Sequence, residues 1–189
     1  MRFAPDTERT IEFAVALVNT SPGATKSGVD ELSTITELDR LYRESGYSGR
    51  IDHDEAELAA VRATRDRVRT TWLLERDEAA EAVNAMLREA GALPYLTRHD
   101  AFDWHLHATE QDAPLTERML VEVALALLDV IRTDTMDRLR ACDAPDCAGV
   151  LADLSRNGSK RFCSIRCGNR MNMIAFRERQ ALVIDPDAS

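Results

Sequence analysis

Apolar residues first recur at helical spacing in ERTIEFAVALVNT, residues 8–20, where Ile11, Val15 and Val18 share a face with Ala14 and Leu17 beside them. NTSPGATKSG then breaks the pattern with Asn, Pro and Gly and reads as a loop. A short helix is predicted over TITELDRLYRESG, ending at Gly46. Asp52 or Asp54 is placed to cap the next helix, EAELAAVRATRDRVRTTWLLE, whose Leu58, Val61, Val68 and Trp72 fit one stripe. Asp77 is placed to cap EAAEAVNAMLREAG, which Gly91 closes. In LPYLTRHDAFDWHLHAT the period changes: Tyr95 and Leu96, then Phe102, Trp104 and Leu106, predict two short strands around RHD. Pro114 opens LTERMLVEVALALLDVIRT, apolar almost all round from Met119 to Ile131 and therefore the candidate core helix. The N-terminal part is mainly α with a small β-hairpin, and its boundary falls near residues 134–140.

The length, 189 residues, suits one ordinary domain with a small appendage. A hydrophobic share of 44% and a charged share of 30% indicate a folded chain, not a disordered one. No apolar run reaches the ~18 residues of a membrane span, so no membrane partner is expected. MRFAPDTERTIEF carries acids where a secretory signal has a basic start and an apolar core, which points to the cytoplasm. Four cysteines in that reducing compartment are not expected to form structural disulfides.

All four cysteines lie in the last quarter, as Cys142-x4-Cys147, fifteen residues, then Cys163-x3-Cys167. Two close pairs joined by a short loop can supply four thiolates to one tetrahedral zinc. Pro145 and Asp146 suit a tight knuckle, Ser164 is a good helix N-cap, and the RNGS run between apolar residues reads as a hairpin turn. Knuckle, hairpin and a helix carrying the second pair make a treble-clef-like zinc finger. Neither pair has the C-x-x-C spacing of a redox site. Four protein ligands leave no coordination position for water, so one Zn2+ per chain is expected in a structural role.

The run Cys163-Ser164-x-x-Cys167-Gly168-Asn169-Arg170, with the C-x4-C pair and Asp153, Ser155, Arg156 and Asn157 before it, resembles the CGNR zinc-finger family. In that family the finger follows a helical domain called ABATE, and the proteins are described as stress-induced transcription regulators. ALVNT and the helical layout ending in the apolar helix are similar to that domain. The resemblance implies zinc on the four cysteines and double-stranded DNA as partner of the finger, with residues 1–137 as the ABATE-like domain and 138–182 as the finger.

The net charge of -9 would repel nucleic acid if evenly spread, but it is not. Residues 138–180 carry nine bases and four acids, a net of +5; residues 1–137 carry fifteen and twenty-seven, a net of -12. Arg166, Arg170 and Arg177 fall on one helical face with Asn169 beside them, and Lys160 and Arg161 precede the second cysteine pair. Such side chains can contact phosphates and base edges. Equally, the arginines can form a solvated face or clamp the acidic body, and Asn169 and Arg170 can brace the knuckle.

Asn19 and Thr20 either close the first helix or add polar groups to a small-molecule pocket in the helical domain. Trp72 and Trp104 could line such a pocket, with core packing as the alternative. His105 and His107 share a strand face, with His99 near in sequence, and exposed hairpin histidines are the default reading. Arg62, Arg65, Arg67 and Arg69 spread around their helix and read as solvated surface. No phosphate loop, nucleophile elbow or catalytic dyad is present, so no enzyme is expected. The expected function is a transcription regulator with an effector-binding or assembling helical domain, a homodimer being compatible with it. The alternative is a protein-interaction module whose finger is only structural. A finger this short needs its metal to fold, so it should unfold alone on chelation, unless Ile165, Ile174 and Phe176 pack onto the body.

Overall fold

The computed structural model describes residues 3–47, 49–98 and 103–184. Its elements are α1 (Pro5–Val18), α2 (Ile35–Ser45), α3 (Glu55–Trp72), α4 (Arg76–Glu89), β1 (Tyr95–Thr97), β2 (His105–His107), α5 (Leu115–Arg132), β3 (Leu139–Ala141), β4 (Val150–Ala152) and α6 (Ile165–Ile184), with one 3-10 turn over Met136–Arg138. The fold is mainly helical, with two small antiparallel hairpins.

Local chemistry sets the boundaries. Thr34 and Glu37 form a capping box at α2, and Gly46, at φ +70°, ends that helix in a conformation that disfavours a side chain. At α3 it is Asp54 that caps, its carboxylate accepting from the Glu57 amide at 2.7 Å. Asp52 instead pairs with Arg50. Asp77 does not cap α4: the helix starts a residue earlier, at Arg76, and Asp77 lies in the first turn, where its charge meets the positive helix end. Gly91 follows α4 at φ +56°, and the Ala92 amide donates back to the Leu87 carbonyl at 2.9 Å.

Helix α5 is the hub. It packs on α1, α3 and α4 and buries Met119, Val123, Ala124, Leu127 and Val130 against Ile11, Leu17, Val61, Trp72 and Val83. Trp72 is thus core and Trp104 is exposed. In the first hairpin Leu96 faces Leu106 across the strands. Of the residues expected around its turn, His99, Asp100 and Phe102 lie outside the described residues. His105 is buried, not exposed, and its Nε2 lies 3.1 Å from Nε2 of His107.

The arginine-rich face of α3 also differs from a solvated surface. Arg65 is only 6% exposed and makes a bidentate pair with Asp30 at 2.7 and 2.8 Å. Arg62 donates to the Leu32 carbonyl and Arg69 to the Ala148 carbonyl. These side chains fasten loops onto the helix.

Strand β4 pairs with β3, upstream of the first cysteine pair, so the first knuckle sits at the tip of the β3–β4 hairpin. The RNGS run does not turn a hairpin. It lies in a loop whose returning chain is not a strand. Leu139, Val150 and Ala152 join the main apolar core, and β4 packs on α1.

Candidate metal centre and its basic surroundings

Two structural devices bring the four cysteines together. The β3–β4 hairpin holds Cys142 at the end of β3 and Cys147 just before β4, with the Cys147 amide closing a turn onto the Ala144 carbonyl at 3.0 Å. The start of α6 supplies the other pair. Ser164 caps that helix through its hydroxyl, which accepts from the Cys167 amide at 3.2 Å. Cys163 therefore precedes the cap and Cys167 lies in the first turn, where the helix dipole favours negative sulfur.

The four sulfurs all lie within 4.8 Å of one another. Cys147 Sγ is 3.6 Å from Cys163 Sγ, and Cys163 Sγ is 3.8 Å from Cys167 Sγ. Sulfurs bound tetrahedrally at ~2.3 Å from one zinc are ~3.8 Å apart, so the geometry fits. All four cysteines are free, and the spacings are far beyond the ~2.05 Å of a disulfide. Backbone amides point at the cluster: Gly149 N–H at Cys147 Sγ and Cys163 N–H at Cys142 Sγ, each 3.4 Å. Burial pushes the Cys147 and Cys163 thiols up, whereas the Ser164 hydroxyl and the neighbouring sulfurs outweigh burial at Cys167 and bring it down to about 7. A divalent cation allows all four to ionise together. The four cysteines are the site of one structural Zn2+, which would hold knuckle and helix together and carry no reaction.

A family model for the CGNR zinc finger matches residues 138–180, and the ABATE model, described as "Putative stress-induced transcription regulator", matches residues 12–134. The chain belongs to the ABATE family. Its CGNR finger follows the ABATE segment directly. No curated protein matches the chain.

Several residues that support this CGNR finger were not among the predicted ligands. Asp153 is 1% exposed. Its carboxylate accepts from the Ser155 amide at 3.0 Å, the Ser155 hydroxyl, the Lys160 amide at 2.6 Å and the Arg140 guanidinium at 2.8 Å. Burial alone would raise its pKa, but these donors hold the carboxyl below the usual range. The 153–160 loop is thereby wrapped around one buried charge. Gly149 is required by space: a Cβ there would lie 3.0 Å from Cys163 Sγ, 3.1 Å from Asn19 Oδ1 and 3.3 Å from Cys147 Sγ.

Asn19 is the other contact missed. Its side-chain amide donates to the Val150 carbonyl at 2.9 Å and accepts from the Val150 amide at 2.8 Å, as a neighbouring strand would. Thr20 donates to the Leu17 carbonyl and accepts from Arg65. Asn19 thus ties the ABATE body to the finger, and Thr20 belongs to the Arg65 cluster. Around Asn19 the Ala148 amide donates to the Gly23 carbonyl at 2.9 Å.

The predicted DNA contacts divide. Arg166 donates to the Ala24 carbonyl at 3.1 Å, so it clamps the body. Arg170 is half-buried and pairs with Asp146 of the knuckle, so it braces the finger. Arg161 pairs with Asp143 at 2.7 Å and lies over the Phe162 ring. Lys160 reaches the Ala152 carbonyl at 3.3 Å, and no carboxylate neutralises it among the described residues. The side chains of Asn169 and Arg177 are exposed on α6 without hydrogen bonds among the described residues. Ile165, Ile174 and Phe176 also face outward, 84%, 39% and 49% exposed, so the apolar docking on the body is made by the hairpin, and α6 adds the Arg166–Ala24 bond.

Proposed function

We propose that the protein is a cytoplasmic transcription regulator, not an enzyme, in which the zinc finger binds double-stranded DNA and the acidic helical body senses an effector. The observation that supports this reading is the charge that remains after pairing. Asp143, Asp146 and Asp153 are each matched to an arginine. Six bases remain unmatched by an acid: Arg138 and Arg166, which donate to backbone carbonyls, and the exposed Arg156, Lys160, Arg177 and Arg179, with Glu178 the remaining acid of the segment. Helix α6 has 20 residues and so is ~30 Å long, enough to lie along a major groove.

Arg166 clamps the finger to the body and Arg170 braces the knuckle, so changing them would confuse folding with binding. Lys160→Ala with Arg177→Ala is the cleaner test. Anisotropy titrations of a random-sequence duplex at several salt concentrations should give weaker binding, with the magnitude of the log–log salt slope lower by about 2. A duplex that fails to bind even at low salt would remove the DNA reading. The docking of β4 into the body favours the second reading, a protein-interaction module with a structural finger, and that failure would leave it standing.

A further inference from the structure

A cavity of about 120 Å³ opens in the helical body, away from the zinc centre, between α1, the end of α2, β2 and α5. Part of its wall is apolar, with Phe13 and Leu125, and the Phe13 ring meets that of Tyr47 at a centroid distance of 4.7 Å. Both guanidinium groups on its wall reach backbone carbonyls among their contacts. Arg9 donates to the Ser45 carbonyl, and Arg118 donates to the carbonyls of Ala113 and Arg50. Against them stand four carboxylates, Asp6, Glu110, Glu122 and Asp129. Among the described residues Asp6 accepts one long bond, from the Leu106 amide at 3.5 Å. Asp129 accepts from the Thr7 hydroxyl at 2.9 Å, with Arg132 4.0 Å away. Of the histidine pair on the wall, His105 Nδ1 faces the Asp103 carbonyl at 2.8 Å, which places a proton there and leaves Nε2 to accept from His107.

We propose that this cavity binds a small organic cation, an amine with an apolar or aromatic body. Asp6 and Asp129 hold the ammonium, and Phe13 and Leu125 pack on the body; the Phe13 and Tyr47 rings add cation–π attraction. Helix α1 lines the cavity through Asp6, Thr7, Thr10 and Phe13, and Asn19 at its end holds β4 beside the zinc cysteines. One rigid helix thus joins the cavity to the finger. This gives the sensing role of the body a ligand class, and it rests on that reading.

Calorimetric titration of the zinc-loaded full chain with three probes of one shape tests it: phenethylamine, 2-phenylethanol and phenylacetate. Phenethylamine should bind at least about tenfold more tightly than the alcohol, and phenylacetate should bind least. In Asp6→Asn with Asp129→Asn the amine should fall to the level of the alcohol, with an unchanged melting profile showing that the fold is intact. Equal affinity for amine and alcohol overturns the proposal, as does a preference for phenylacetate, no binding of any probe at millimolar concentration, or amine affinity unchanged in the double variant. A variant that fails to fold does not blur the result, because the three probes on the unaltered protein already decide it. Binding is read without DNA, so failure of the DNA reading and failure of this one are separate results.

Discussion

Asp153 gathers the 153–160 loop around one buried carboxylate. One buried carboxylate meets donors from Arg140, Ser155 and Lys160, so removing it strands several polar groups at once. Asp153→Ala should cost about 3–5 kcal/mol, the usual cost of breaking a buried pair from one side, measured by urea unfolding of the zinc-loaded protein. Asp30 makes a second test, in the body. The Arg65 guanidinium beside it holds its carboxyl below the usual range. Because the folded value is lowered, its contribution is complete above the unfolded carboxylate pKa and fades as pH falls through the folded one. The stability gap between the unaltered protein and Asp30→Asn should therefore be full near neutral pH and shrink in acid; a gap that widens in acid would refute the pairing. The four cysteines were legible in the sequence because a metal demands fixed spacing within a short segment. Arg65 was not, since a helix periodicity cannot show that a loop residue, 35 positions away, folds over it.

At the scale of elements, the helices followed from periodicity and caps, and the departures have local causes. Of the two aspartates offered as cap for α3, it is Asp54 that directly precedes Glu55 and caps, while Asp52 pairs with Arg50. The RNGS turn chemistry was real, but β4 found a better partner in β3, whose Leu139 and whose opposite Val150 and Ala152 reach the core together. No local signal in the sequence reports that choice. Nor does one report Asn19, which binds Val150 from 131 residues away. Asn19→Ala leaves both Val150 backbone groups without that partner and should cost about 1–3 kcal/mol in the same urea assay, with zinc content unchanged. Gly149→Ala acts one residue before the strand, where its Cβ would also crowd Asn19 Oδ1. Its Cβ would press on two ligand sulfurs, and zinc affinity should fall about 10–100-fold in competition with a chromophoric chelator.

For the whole molecule, the question is how far the loss of zinc travels. The metal supplies ~10–16 kcal/mol of apparent folding free energy in short fingers, and α6 is otherwise held by the Arg166–Ala24 bond and a small cluster of Phe162 and Met171 around the cysteines. Helix α6 turns Ile165 and Phe176 to solvent, so it should lose its protection first. The hairpin is different, because Leu139, Val150 and Ala152 also belong to the core of the body. Releasing it uncovers part of α1 and frees the Asn19 amide and the Gly23–Ala148 bond. The centre of α5 is packed by Trp72 from α3 and by Val83 and Met86 from α4, helices that are not part of the hairpin. Chelation should therefore raise hydrogen exchange in three tiers: α6 and the knuckles completely, β3–β4 with the last turn of α1 and the loop at residues 21–25 partly, and the middle of α5 hardly at all. If the last turn of α1 keeps its full protection, the docking carries no energy and the finger is an appendage. If α5 opens at the same chelator concentration as α6, the chain is one cooperative unit. The graded result would mean that the zinc site and the far end of α1 share a free energy through Asn19, which is the physical requirement for a body that senses to influence a finger that binds.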